Sequence, residues 1–203
     1  MKHKKTYAVA IIPAKTDSTR LPKKNLQVIN GKTLIEHTID YALDSEYIKD
    51  IVVSTESTIV KNLIETKYKT KNILVLDRPK HLLKDAEVAD VYVDIFQNHT
   101  VESLKMTSNA THMVALQPDN PDRNHKIDKV IDYFIDNTYD DLVTVSDDGT
   151  RNGASRITKA EYVRNGSISR RMGTYLDNCT NIHSEDDLKQ AERNIQNNEW
   201  IHK

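Results

Sequence analysis

The chain has 203 residues, 37% hydrophobic and 29% charged, enough for one α/β domain with a sizeable core. A formal net charge of −1 excludes a broadly basic nucleic-acid-binding surface, so an anionic ligand has to meet a local cluster of Lys and Arg. The single cysteine, Cys179, excludes an intrachain disulfide and suits a reducing, cytoplasmic setting. With polar residues after it and no His beside it, Cys179 reads as a plain thiol and not as a nucleophile.

The basic start Met1-Lys2-His3-Lys4-Lys5-Thr6 leads into an apolar run too short for a signal-peptide core, and no stretch is long enough to span a membrane. Residues Tyr7 to Ile12 instead read as a buried parallel strand that stops at Pro13. Over 33–44, Leu34, Ile35, Ile39, Ala42 and Leu43 share one helical face. A short strand at 51–54, a helix at 57–66 and a strand at 73–76 come next. Val88, Val91, Tyr92, Ile95 and Phe96 have helical spacing, as do Ile127, Val130, Ile131, Phe134 and Ile135. Between these helices, residues 112–116 read as a strand stopped by Gln117-Pro118, and 142–145 as another. The stretch 147–180 has weak periodicity. Ser184 and Asp187 form a capping-box-like start to a last helix, which turns Leu188, Ala191 and Ile195 inward.

Strand and helix alternate, which predicts an α/β fold: a mostly parallel sheet with helices on both faces, in one domain over 1–203. Ligands of such sheets bind beyond the carboxyl ends of the strands, so the loops after the first and later parallel strands are where a site belongs. The loop after the first strand, Pro13 to Asn25, places Lys15, Arg20, Lys23 and Lys24 among small hydroxyl residues. Backbone N–H groups and cations in such a loop suit a triphosphate. The glycines of a Walker loop or a dinucleotide fingerprint are absent. From residue types alone, a phosphate-binding loop and a solvated basic loop are both open readings.

The segment Ile12-Pro13-Ala14-Lys15 through Ser18-Thr19-Arg20-Leu21-Pro22 to Lys24-Asn25 resembles the signature of the acylneuraminate cytidylyltransferases and the related CMP-Kdo synthetases. Further motifs of the same family occur in order. These are Gly31-Lys32-Thr33-Leu34-Ile35, Arg78-Pro79-Lys80-His81-Leu82 with Asp85, and Leu116-Gln117-Pro118-Asp119-Asn120-Pro121-Asp122-Arg123. Arg164-Asn165-Gly166-Ser167-Ile168, Gly173-Thr174-Tyr175 and the closing stretch Ile182 to Glu192 complete the series.

The resemblance implies a Rossmann-like nucleotidyltransferase fold, CTP as co-substrate, Mg²⁺ or Mn²⁺ as cofactor, a sialic-acid-like or other 2-keto sugar acid as acceptor, and a homodimer. It implies phosphate-handling, catalytic roles for Lys15, Arg20 and Lys24. Nucleotide contacts fall to Ala14, Ser18, Asn25, Arg78 and Gln117. Sugar contacts fall to Arg164 and Asn165, within a region 147–180 that reads as a shortened sugar site or dimerisation arm.

The chain departs from the family pattern in three ways. Asp17 replaces a Gly, placing a carboxylate near the phosphates. Lys15 replaces an Arg and loses bidentate geometry. Asn181 and His183 stand where two metal-holding aspartates are expected, and neither is a good Mg²⁺ ligand. Asp119 matches the metal-binding Asp of the Kdo branch, so Asp119 with His183 is the expected metal set. The alternatives are that Asp119 is a turn residue before Pro121 and that His183 accepts a hydrogen bond at the last helix start. The departures leave two functional expectations. One is an active cytidylyltransferase; the other is a weak or inactive nucleotide-binding relative that acts as a binding or assembly partner.

Overall fold

The computed structural model describes residues 3, 5–16, 18, 20–83, 86–97, 105, 107–167 and 170–197. Met1, Lys2, Lys4, Asp17, Thr19, Asp85 and Ile168, named above, lie outside the described residues. The chain runs β1 (Ala8–Pro13), β2 (Val28–Ile29), β3 (Lys32–Thr33), α1 (Leu34–Leu43), β4 (Ile48–Thr55), α2 (Thr58–Lys67), β5 (Ile73–Asp77) and α3 (Val88–Gln97). It continues through β6 (His112–Leu116), α4 (Ile127–Asp136), β7 (Asp141–Val145), β8 (Arg151–Lys159), α5 (Ala160–Asn165), β9 (Met172–Leu176) and α6 (Glu185–Asn197).

Seven strands form one sheet in the order β5-β4-β1-β6-β8-β7-β9. Every neighbouring pair is parallel except those made by β8, which runs antiparallel to both β6 and β7. The pleat of β1 divides the core. Ala8, Ala10 and Ile12 face a layer built from α1, α2 and α4, whose largest fully buried side chain is Phe134. Val9 and Ile11 face the opposite layer, where Val91, Tyr92, Ile95 and Phe96 of α3 meet Ala160 and Val163 of α5. Both faces are thus covered, as a parallel sheet requires. The fold is the expected Rossmann-like α/β arrangement, with helices on both sides of a mostly parallel sheet.

Local signals set the entries to the site. Asn30 (φ 46°) and Gly31 (φ 76°) form the two-residue turn between β2 and β3, where positive φ at both positions matches the twist of the flanking strands. Thr33 then caps α1 in a reciprocal box with Glu36. At the last helix the Ser184 hydroxyl and amide both donate to Asp187 Oδ2 at 2.8 Å, the arrangement its sequence foretold. A small third core of Leu21, Ile29, Leu34, Ile182, Ala191 and Ile195 fastens α6 and the β2–β3 hairpin beside the loop after β1.

The weakly periodic stretch 147–180 contributes β8 and β9, joined through α5, to the common sheet. Among the described residues, no helix is long and apolar enough to cross a membrane.

Candidate active site

The parallel strands β1, β5 and β6 end on one side of the sheet. β1 is the point where strand order turns, with β4 and β5 to one side and β6 to the other. Loops leaving such a point diverge and leave a crevice. A cavity of about 760 Å³ lies there, lined by Lys15, Ser18, Arg20, Lys24 and Asn25 from the first loop, Arg78 after β5, Gln117 and Asp119 after β6, and Asn181 and His183 before α6.

Lys15 and Arg20 are exposed at its wall. Lys24 is held deeper. Its Nζ donates to Asp119 Oδ2 at 2.5 Å and to the Ile182 carbonyl at 3.2 Å. Asn25 is buried and donates through Nδ2 to the Lys15 carbonyl at 2.6 Å, while its Oδ1 has no hydrogen-bond partner among the described residues. A buried acceptor without a donor carries a desolvation penalty that a bound ligand can relieve. Arg78 is buried against β4, donating to the Ser54 hydroxyl at 3.4 Å and to its carbonyl at 3.1 Å. Gln117 packs over Gly153, whose φ of +75° and bare Cα leave the amide its space.

Ala14 does not line this cavity. It is fully buried, its amide donates to Ser54 at 2.9 Å, and its carbonyl accepts from the Thr55 hydroxyl at 2.7 Å. Nor are Arg164 and Asn165 brought to it. Arg164 comes after β8 at the other end of the sheet, stacks over Phe96, and donates to the carbonyls of Thr107 and Ala110, each at 2.6 Å. Asn165 is exposed at the end of α5. β8 runs antiparallel and carries α5 away from the carboxyl edge, so both residues stand apart from this cavity. Arg156 and Arg171 are held by Asp141 and Asp140 in the same way.

For a divalent cation the donor set is thin. His183 Nδ1 is buried without a partner among the described residues, and Asp119 shares its cavity. Burial, with Arg20 and Lys24 nearby, lowers the His183 pKa and favours the neutral ring. The described residues contain no cluster of three or more His, Cys, Asp or Glu that could hold a metal ion. Asp119 and His183 therefore fit a cation only if it draws its remaining oxygens from substrate phosphates and water, the usual habit of Mg²⁺.

Several supporting residues lie outside the set of site residues that the resemblance implies. Glu56, after β4, accepts from the Thr16 amide and hydroxyl, both at 2.7 Å, and so pins the first loop. Burial would raise its pKa, but these bonds hold it below the usual value. Arg123, 2% exposed, donates to the carbonyls of Gln117, Asn120 and Ala154 and lies 4.9 Å from the Tyr41 ring. It shapes the turn that presents Gln117 and Asp119. Burial pushes the nearby Cys179 thiol up to about 12, so it stays protonated at neutral pH.

A cytidylyltransferase family model matches residues 9–167. Among curated proteins, the chain is 53% identical over 49 residues to the CMP-N,N'-diacetyllegionaminic acid synthase of Legionella pneumophila, covering 24% of this chain and 21% of that one. It is 29% identical over 143 residues to the N-acylneuraminate cytidylyltransferase of Streptococcus agalactiae, covering 68% and 32% respectively. The chain thus spans a third or less of the length of these two relatives. Its fold matches that of a CMP:2-keto-3-deoxy-manno-octonic acid synthetase complexed with CTP, with a TM-score of 0.67 and 15% identity over 95% of this chain and 99% of that one. With the family model covering most of the sheet and every loop of the cavity up to Asp119, the chain belongs to the cytidylyltransferase family.

Proposed function

We propose that this chain transfers CMP from CTP to a sialic-acid-like or other 2-keto sugar acid, with release of pyrophosphate. One observation carries the reading: Lys15, Arg20, Lys24, Asn25, Arg78 and Gln117, scattered over separate loops, line one cavity at the carboxyl edge of the sheet. The acceptor class comes from the names of the relatives, which act on sugar acids of this kind.

In this reading Lys15, Arg20 and Lys24, with Ser18, hold the triphosphate and offset charge that builds on it as the bond at the α-phosphorus breaks. The unpaired Asn25 Oδ1 and the Gln117 amide offer an acceptor and a donor–acceptor pair for the nucleoside. Arg78 fixes the same end of the nucleotide from its seat against Ser54. The acceptor's hydroxyl oxygen bonds to the α-phosphorus, the bond to the bridging oxygen breaks, pyrophosphate leaves, and the hydroxyl proton passes to solvent. Mg²⁺ or Mn²⁺, held through Asp119 and phosphate oxygens beside His183, would supply further charge neutralisation. A homodimer belongs to the same reading, and Met172 and Leu176, each 50% exposed on the edge strand β9, offer apolar area for it.

A second reading, a nucleotide-binding relative that turns over little or nothing, is favoured by the Lys24–Asp119 pairing and by Asn181 at the cavity wall. Pyrophosphate release separates the two. Purified protein with CTP, Mg²⁺ or Mn²⁺ and a panel of 2-keto sugar acids is expected to release pyrophosphate only when an acceptor is present. CTP binding without release for any acceptor would leave the second reading standing and remove the first.

A further inference from the structure

Asp122 is absent from the cavity wall and only 3% exposed, yet its carboxylate joins three separate segments. Oδ1 accepts from the Thr180 amide at 2.9 Å, and Oδ2 accepts from the Thr180 hydroxyl and from Asn194 Nδ2, each at 2.7 Å. The loop after β6, the stretch after β9 and the helix α6 therefore meet at one side chain. A buried carboxylate needs its lone pairs filled, and here three neutral donors fill them.

Short pieces of backbone connect this junction to the cavity. Three residues before Asp122 stands Asp119, and three residues after Thr180 stands His183. The two pieces are stitched together again at the cavity: the Ile182 amide donates to the Asp119 carbonyl at 2.9 Å, and Lys24 Nζ reaches both Asp119 Oδ2 and the Ile182 carbonyl. Any shift of Thr180 against Asp122 is passed to Asn181 and His183 through that backbone.

We infer that Asp122 is a positioning residue, one that fixes where the Asn181–His183 wall stands relative to Asp119 and Lys24. The inference rests on reading this cavity as the CTP site. An apolar side chain at 122 leaves the Thr180 amide and hydroxyl without an acceptor and Asn194 Nδ2 with only its 3.3 Å bond to the Thr180 hydroxyl, and buried donors in that state pull the segment toward water. Asp122→Asn keeps Oδ1 for the Thr180 amide and places an N–H₂ opposite the Thr180 hydroxyl, which can accept, and opposite Asn194 Nδ2, which loses this acceptor; the link between residue 122 and Thr180, the one that sets the wall, is kept.

The test compares Asp122→Leu, Asp122→Asn and Thr180→Val in two measurements, steady-state kinetics and the ¹H–¹³C resonance of the His183 imidazole, assigned with His183→Gln. Asp122→Leu and Thr180→Val are expected to shift the His183 resonance and to lower kcat by roughly tenfold to a hundredfold, the usual effect of misplacing a site wall. KM for CTP stays within about twofold, because Lys15, Arg20 and Arg78 sit on other loops. Asp122→Asn is expected to restore both signals toward wild type. Lower thermal stability with an unmoved His183 resonance and unchanged kcat in Asp122→Leu would reduce Asp122 to a structural residue and overturn the inference. If Asp122→Leu does not fold, Thr180→Val, which keeps the backbone bond, gives the same two outcomes. If the wild type does not turn over CTP, the functional reading fails, and the His183 resonance still decides the positioning role.

Discussion

Lys24 Nζ lies 2.5 Å from Asp119 Oδ2, an ion pair between residues 95 positions apart at the centre of the cavity. Both side chains are mostly shielded, at 14% and 19% exposure, so each strongly sets the other's availability. The same lysine serves the triphosphate in the proposed function, and the same carboxylate serves the cation.

Asp119→Asn separates these duties. It releases the Lys24 charge and removes an anion facing the phosphates. In metal-free buffer, CTP affinity measured by calorimetry is expected to rise a few-fold, while pyrophosphate release with Mg²⁺ falls by roughly a hundredfold or more. Weaker metal-free binding in the variant would show that the carboxylate does not compete for Lys24.

Gly153→Ala tests the seat of Gln117. An added Cβ would meet the Gln117 side chain at 3.0–3.2 Å, at a backbone φ of +75°. The backbone term alone is about 1–2 kcal/mol. The expected outcome is a lower thermal midpoint together with a raised KM for CTP, since in the proposed function the displaced amide contacts the nucleoside. A destabilised variant with unchanged KM would remove Gln117 from nucleotide recognition.

Acid stability has an identifiable source away from the site. Burial of the Asp140 carboxylate would raise its pKa, but Lys159 at 2.6 Å and Arg171 at 3.1 Å hold it down at about 2. A carboxylate depressed in the folded state stabilises fully above its unfolded pKa of about 4, and that contribution disappears as pH falls through about 2. The difference amounts to roughly 2 kcal/mol. Asp140→Asn is expected to lower stability at neutral pH and to flatten its fall between about pH 4 and pH 2 in urea titrations. An unchanged acid slope would assign that window to other carboxylates.

Most of the sheet was legible because β1, β4, β5, β6 and β7 are apolar runs and α1, α3 and α4 keep strict helical spacing. β8 was not legible. Its buried positions include Asn152, Ser155 and Thr158, and the side chains of Asn152 and Thr158 pair with Thr144 and Asp141 of β7 in place of an apolar alternation. The antiparallel β8 takes Arg164 and Asn165 to the end of the sheet away from the cavity, a placement that their motif alone does not reveal. The cavity's own residues were readable, because Lys15, Arg20, Lys24, Arg78, Gln117 and Asp119 lie in the loops just past strand ends. Asp122 and Glu56 were not, since their partners lie 58 and 40 residues away in the chain and nothing local marks the pairing.

The central claim, that this cavity is a CTP site with Lys24 on the triphosphate, is tested most directly by titrating CTP into wild-type protein and into Lys24→Ala. The account predicts clear binding to the wild type and a loss of roughly tenfold or more in the variant, the usual weight of one charge-assisted contact. Equal CTP affinity in the two proteins would contradict it.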